Sequence, residues 1–251
     1  IHAFGESFCF FSNGFCYLTT LGALRSMRMK KPPIGKTGGE SHPLRDTWEG
    51  IKMARRFAPY RYFLTLITIT GFFSFPTIIL MPAMAKSVLG GSSKTLGLLL
   101  MGVAVGALAG SLLMASRKTT ADYSWWCTRT CLGFGVSVML FSLSRSIPLG
   151  IILAAPVGFC MVTCTIACNT LMQTMSGDAS RSRIMALYTL AIVGIPPFGS
   201  LLSGKLGDIV GTAWALFICG IFCTISAYYF MKKIDKVSYQ ILRALKREGA
   251  L

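Results

Sequence analysis

Seven stretches of this chain run for 15 residues or more without a charged side chain, and that pattern limits what the chain can fold into more than any other feature. They are Ser7–Leu24, Tyr62–Ala85, Thr95–Ser116, Thr130–Ser144, Ser146–Gly177, Ile184–Gly204 and Ile209–Met231. About 20 apolar residues in a helix cross the hydrocarbon core of a bilayer, where the helix must satisfy every backbone N–H and C=O itself. Six of the runs reach that length or come close to it. Thr130–Ser144, with 15 residues, reaches it if Trp125, Trp126 and Cys127 enter the interface and Arg129 and Arg145 snorkel. In Ser146–Gly177, Pro148 falls in the first turn and Asn169–Gly177 is polar, which places the helix at roughly 149–172. The expected fold is all-α, a polytopic membrane helix bundle.

Composition agrees. Apolar residues make up 53% and charged residues 14%, whereas a soluble domain carries about a quarter charged. Disordered chains are poorer in apolar residues and richer in charge, so disorder is excluded. The net charge of +16 alone would suit a nucleic-acid partner, but its distribution has another cause. If the seven runs are spans, 21 of the 25 Lys and Arg fall on one side and four, Lys86, Lys94, Arg145 and Lys205, on the other. Cytoplasmic loops carry such an excess. The first span is therefore expected to run outside to inside, with a cytoplasmic C-terminus. The charge then reflects topology and anionic lipid, and no nucleic acid is needed.

The chain opens Ile-His-Ala-Phe-Gly-Glu, without Met or a signal peptide. With an odd number of spans, this raises the expectation that upstream sequence is missing. Four regions follow from the pattern: a first span (1–27), a cytoplasmic linker (28–60), a six-helix transmembrane bundle (61–233) and a basic tail (234–251). Pro32, Pro33, Gly35, Gly38 and Gly39 make the first half of the linker flexible. Its second half sets Leu44, Trp48, Ile51 and Ala54 against Arg45, Glu49, Lys52 and Arg56, an amphipathic helix stopped by Pro59. That helix could lie along the inner membrane surface or pack on a partner.

Within the spans polar groups are few. Glu6 and Asp208 fall at span ends, Asp208 in an outer turn Gly204–Gly211, and Glu6 is the candidate titrating group. Asn13, Asn169 and Gln173 serve either as hydrogen-bonding glue between helices or as polar contacts in a substrate path. Gly102, Gly106 and Gly110 recur every four residues, which lets another helix approach closely. Pro76, Pro82, Pro156 and Pro196–Pro197 mark expected kinks. Cys127/Cys131, Cys160/Cys164/Cys168 and Cys219/Cys223 are spaced by four. With no CxxC pair, and with His2 and His42 outside the spans, they read as small packing residues, and no metal is assigned. No GxSxG, HExxH or P-loop occurs, so neither a catalytic residue nor a cofactor is expected.

Several segments resemble major facilitator superfamily exporters, in particular the branch of enterobactin exporters and macrolide efflux pumps. Cys168-Asn-Thr-Leu-Met-Gln-Thr174, Asp178-Ala-Ser-Arg-Ser-Arg-Ile-Met-Ala-Leu-Tyr188 and Gly194 through Gly211 resemble its tenth-to-eleventh helix region. Gly5-Glu-Ser-Phe-Cys-Phe-Phe-Ser-Asn13 is similar to the entry of its sixth helix. Trp48-Glu-Gly-Ile51 through Arg55-Arg-Phe-Ala-Pro59 resembles the central-loop helix before its seventh. Two departures stand out: Arg181-Ser182-Arg183 replaces Arg-Gly-Arg, and the loop Ala115–Asp122 keeps Arg117 and Lys118 without the full Gly-x-x-x-Asp-Arg pattern. A helix N-terminus disfavours cations, so topology or an acid elsewhere must account for Arg181 and Arg183.

The resemblance implies helices six to twelve of a twelve-helix transporter, with the other half supplying the opposite wall of a midplane cavity and the two halves rocking in alternating access. It implies a proton-coupled efflux pump of the bacterial inner membrane for a small amphipathic, drug- or siderophore-like compound. The candidates for the substrate path are Asn13, Phe72, Phe73, Phe75, Asn169, Gln173 and Tyr188; those for gating or topology are Arg117, Lys118, Arg181 and Arg183. A non-transporting membrane scaffold or assembly subunit is the alternative.

Overall fold

The uncharged runs become helices in the computed structural model, which describes residues 5–26, 43–117 and 123–247. Lys118 and residues 28–42 of the linker lie outside the described residues, as do the side chains of Glu6 and Asn13. The order is α1 (Gly5–Ser26), α2 (Pro43–Arg56), α3 (Ala58–Ile79, extended by Met81–Ala83 and a π-helical turn Met84–Val88), α4 (Ser93–Ala115), α5 (Tyr123–Ser142), α6 (Ile147–Met175), α7 (Asp178–Thr189), a π-helical turn Leu190–Gly194, α8 (Pro196–Val210) and α9 (Thr212–Arg247). No strand occurs among the described residues. Residues Ile1–Ser41, which contain α1, form one unit, and His42–Leu251 form another.

Five stretches are long and apolar enough to cross a membrane: Ala58–Val88, Ser93–Ala115, Ile147–Met175, Ser180–Val210 and Thr212–Ile234. Two expected spans, α1 and α5, form as helices of 22 and 20 residues but fall outside those five. For α5 the reason is visible. It packs between α6 and α9, and its Ser124, Thr128, Thr130, Ser137 and Ser142 are buried against protein. Thr128 and Ser137 donate to the carbonyls of Ser124 and Gly133 one turn back. A helix with most of its surface against other helices, and only a narrow strip such as Trp125, Val136 and Leu140 exposed, does not need the hydropathy of one that faces lipid more broadly. Its start at Tyr123 also takes in Arg129, whose guanidinium lies 4.0 Å from the Trp125 ring centre.

The outer surface is apolar, as a lipid-facing surface must be. On α4, Met101, Val105, Leu108 and Leu112 are all more than half exposed, a stripe that no water-soluble monomer would leave open. The opposite face of α4 is the glycine row, and it meets α6 backbone to backbone. A methyl added at Gly102 would come within 2.7 Å of the Ile151 carbonyl oxygen. One at Gly106 or Gly158 would overlap the carbonyl of Ala155 or Val103. Small residues here replace side-chain interdigitation with main-chain contact, which holds helices together where lipid supplies no hydrophobic drive. A second close crossing sets Gly199 of α8 on the Phe72 carbonyl of α3.

Local chemistry explains the element ends. Ser92 caps α4 by accepting from Lys94 N–H at 3.3 Å, while Thr95 Oγ1 accepts from Ser92 N–H. Phe57, extended at φ −108°, separates α2 from α3. Pro59 therefore opens α3 in its first turn, where its missing N–H costs nothing, and does not itself terminate α2. Pro76 and Pro156 sit inside continuous helices, whereas Pro82 and Pro196 adjoin the two π-helical turns. The expected outer turn Gly204–Gly211 is corrected: α8 stays helical through Val210, and only Gly211, at φ 87°, makes the turn. The basic tail is no separate element either, since α9 runs unbroken for 36 residues.

Three tyrosines join the helix ends that the charge count assigns to one side. Tyr60 OH donates to the Met175 carbonyl at 2.8 Å, Tyr62 OH to that of Phe230 at 2.9 Å, and Tyr123 OH to that of Met114 at 3.1 Å. Arg117 over Trp126, Lys232 over Tyr228 and Lys233 over Tyr229 add cation–π contacts near these ends. The helix ends carrying Lys and Arg in this unit thus gather at one end of the bundle, here called the basic end, with the mixed aromatic and cationic belt of a membrane interface.

Candidate functional site

At the basic end, α6 runs into α7 through a polar chain. Gln173 Nε2 donates to Asn169 Oδ1 one turn below it, and Gln173 Oε1 accepts from Arg181 Nη2 at 2.9 Å. The amide of Gln173 thus ties the last turns of α6 to the first turn of α7, using both its donor and its acceptor. Tyr188, 4% exposed, donates its hydroxyl to the Thr165 carbonyl at 3.0 Å. Three of the substrate-path candidates, Asn169, Gln173 and Tyr188, therefore lie along one side of α6 and bond to neighbouring protein groups.

The aromatic candidates lie elsewhere. Phe73 stacks on Phe222 of α9, with ring centres 6.3 Å apart and planes 4° from parallel, and Phe72 meets Phe73 edge-on at 5.1 Å. Phe75 is about half exposed. Phe73 thus packs toward α9, and the structure does not unite the α3 aromatics with the polar chain of α6.

Among the gating candidates, Arg183 finds an acid: its Nη1 is 3.0 Å from Glu49 Oε2 on α2. The helix α2 packs on α7 and α3 of its own chain, with Gly50 buried against the Arg183 carbonyl and Leu187 and Trp48 exposed.

Between α2, α3 and α7 lies a cavity of about 220 Å³. Ala54, Leu64, Thr68, Leu187 and Ala191 line its walls, and Arg55 and Arg61 stand among the same lining residues. Thr65 and Thr68 turn their hydroxyls back to the Arg61 and Leu64 carbonyls, each at 2.7 Å, so their methyls are left to face outward. The result is an apolar cleft with guanidinium groups, open on one side and floored by the π-helical turn at Leu190–Gly194. Such turns frequently mark functional positions. None of the substrate-path or gating candidates lines this cleft, although Ile51 and Ala54 of the expected amphipathic helix do. Its signal was present in Arg61, Leu64, Thr65 and Thr68, which share one helical face and bring a cation, a leucine and two threonines to it.

The cysteine stripes meet one another. Cys127 of α5 and Cys164 and Cys168 of α6 place their sulfurs within 4.8 Å of one another, all three fully buried. Cys131 lies one turn along, with Thr70 Oγ1 at 3.1 Å from its sulfur. Their reading as packing residues left out that stripes on different helices face the same interior. These are the residues that could hold a soft metal ion.

A family model described as transmembrane secretion effector matches residues 1–240. No curated protein and no solved structure matches the chain. The all-helical bundle, its lipid-facing stripes and that match over nearly the whole length lead to one assignment: the chain belongs to the transmembrane secretion effector family of the major facilitator superfamily, and is a multi-pass membrane transporter.

Proposed function

We propose that the chain forms the C-terminal portion, helices six to twelve, of a secondary active exporter that expels a small amphipathic compound by alternating access, in the manner of the enterobactin and macrolide exporters its segments resemble. It acts in a bacterial inner membrane with the basic end in the cytoplasm, and a proton gradient drives it. The observation that carries the reading is the apolar cleft of about 220 Å³ between α2, α3 and α7, with Arg55 and Arg61 among its lining. Its chemistry suits an apolar body with hydrogen-bond acceptors or negative charge at one end. The volume is small for a whole drug-sized ligand, as expected if a second half supplies the opposite wall. The Glu49–Arg183 pair then acts as a cytoplasmic latch, holding α2 over the cleft in one state and releasing it in the other.

Accumulation of a panel of amphipathic dyes, antibiotics and siderophore-like chelators tests this in cells with and without the complete natural gene. Expression should lower accumulation of at least one class, a protonophore should abolish the difference, and Ala191→Trp or Leu64→Trp, which fill the cleft, should do the same. Unchanged accumulation across the panel would reject the efflux reading.

A further inference from the structure

The geometry points to an intramembrane binding site for a soft monovalent cation, Cu(I) or Ag(I), formed by the thiols of Cys127, Cys164 and Cys168. The inference stands apart from the transport reading, because it rests on different helices and residues.

The three sulfurs come from two helices, so an ion among them would bridge α5 and α6. Cys127 Sγ is 3.9 Å from Cys164 Sγ and 2.7 Å from Cys168 Sγ, and all three lie within 4.8 Å of one another. Three sulfurs bound at about 2.3 Å around one ion stand about 4 Å apart. The Cys127–Cys164 spacing already matches, and Cys127 and Cys168 need to part by about 1 Å. All three residues are free cysteines with no exposed surface.

Ligand type and charge select the ion. The cluster offers sulfur alone, which favours soft ions over the oxygen-seeking ones. Structural zinc takes four ligands in a tetrahedron, and this group has three. A buried site in a membrane span also has to end near neutrality. With a +1 ion, one thiol gives up its proton to become the thiolate, and the other two ligate as neutral thiols through sulfur lone pairs. One proton leaves for each ion bound, and the site carries no net charge. A divalent ion would require two thiolates and would leave its fourth position unfilled. Depth permits entry: Cys127 lies four residues from the start of α5 and Cys168 seven from the end of α6, roughly 6 and 10 Å from the basic end.

The test uses the full chain purified in detergent, reduced and then desalted without oxygen, and titrated with Cu(I) buffered by a chromophoric chelator and separately with Ag(I). Roughly one ion per chain should bind, with an X-ray absorption spectrum showing sulfur neighbours only, and the thermal midpoint should rise as a bound ligand requires. Cys127→Ala, Cys164→Ala and Cys168→Ala should each weaken uptake by about tenfold or more. Cys219→Ala and the double variant Cys9→Ala/Cys16→Ala should keep it. The helical signal and detergent-phase elution of each variant without metal separate loss of a ligand from loss of fold, and any two of the three variants that fold suffice. No uptake by the reduced protein, uptake unchanged in the folded variants, or nitrogen and oxygen neighbours in the spectrum would overturn the assignment. So would formation of a Cys127–Cys168 disulfide that accounts for the thiols while no ion binds.

Discussion

Arg183 of α7 holds Glu49 of α2 at 3.0 Å, with each side chain about one third exposed. This ion pair joins an amphipathic helix from the linker to a helix of the bundle, and it gives Arg183 the acid that its unfavourable place near a helix N-terminus demanded. Partly exposed pairs contribute about 0.2–1 kcal/mol, and salt screens them. Glu49→Gln should therefore loosen α2 by no more than about 1 kcal/mol. Faster amide exchange over residues 43–56 would report it, the effect should shrink at high salt, and Glu49→Arg/Arg183→Glu should restore part of the protection.

The glycine row should tolerate almost nothing. Gly106→Ala places a methyl on the Ala155 carbonyl, and such overpacking costs about 1–3 kcal/mol. Gly158→Ala, against the Val103 carbonyl, should behave alike. Gly97 on the same helix has no atom near an added methyl, so Gly97→Ala should be neutral or slightly stabilising by helix propensity. Thermal midpoints in one detergent compare the three directly.

Tyr188 and Gln173 should separate by what they leave behind. Tyr188→Phe removes one hydrogen bond to a backbone carbonyl and should cost about 0.6 kcal/mol. Gln173→Leu strips partners from half-buried Asn169 and exposed Arg181, two bonds at about 0.5–1.5 kcal/mol each at most. Stability measurements should rank Gln173→Leu as the worse. Loss of transport in Tyr188→Phe without loss of stability would assign its hydroxyl to the substrate.

Thr163 offers a prediction of the opposite sign. Its hydroxyl is fully buried and without a hydrogen-bond partner, and it points at Gly110 across the α4–α6 contact. Thr163→Val keeps the shape and removes the unsatisfied group, which should raise stability by up to about 1 kcal/mol. A lower thermal midpoint would contradict this account of the contact.

How much of this could be read beforehand depended on the range of the interactions involved. The helices were legible because charge is costly in lipid: Tyr62–Ala85 and Thr95–Ser116 match α3 and α4 to within a turn or so at most ends. The Gly102–Gly106–Gly110 row announced a close helix contact but left its partner, α6, open. Arg129 made α5 look shorter than it is, because sequence does not show that Trp125 covers the charge. The cleft and the cysteine cluster depend on which faces of distant helices meet. Spacing by four fixes a stripe on one helix and leaves its opposite number unspecified. Cys127 and Cys168 are 41 residues apart, and only the packing of α5 on α6 joins them.

The length of α9 has a mechanical corollary. Its 36 residues span about 54 Å at 1.5 Å per residue, whereas the hydrocarbon slab is about 30 Å thick. The apolar part ends near Ile234, so the 13 residues from there to Arg247 extend the rod by about 20 Å beyond the slab. Any tilt of α9 within the bilayer is therefore amplified at a tip that swings through water.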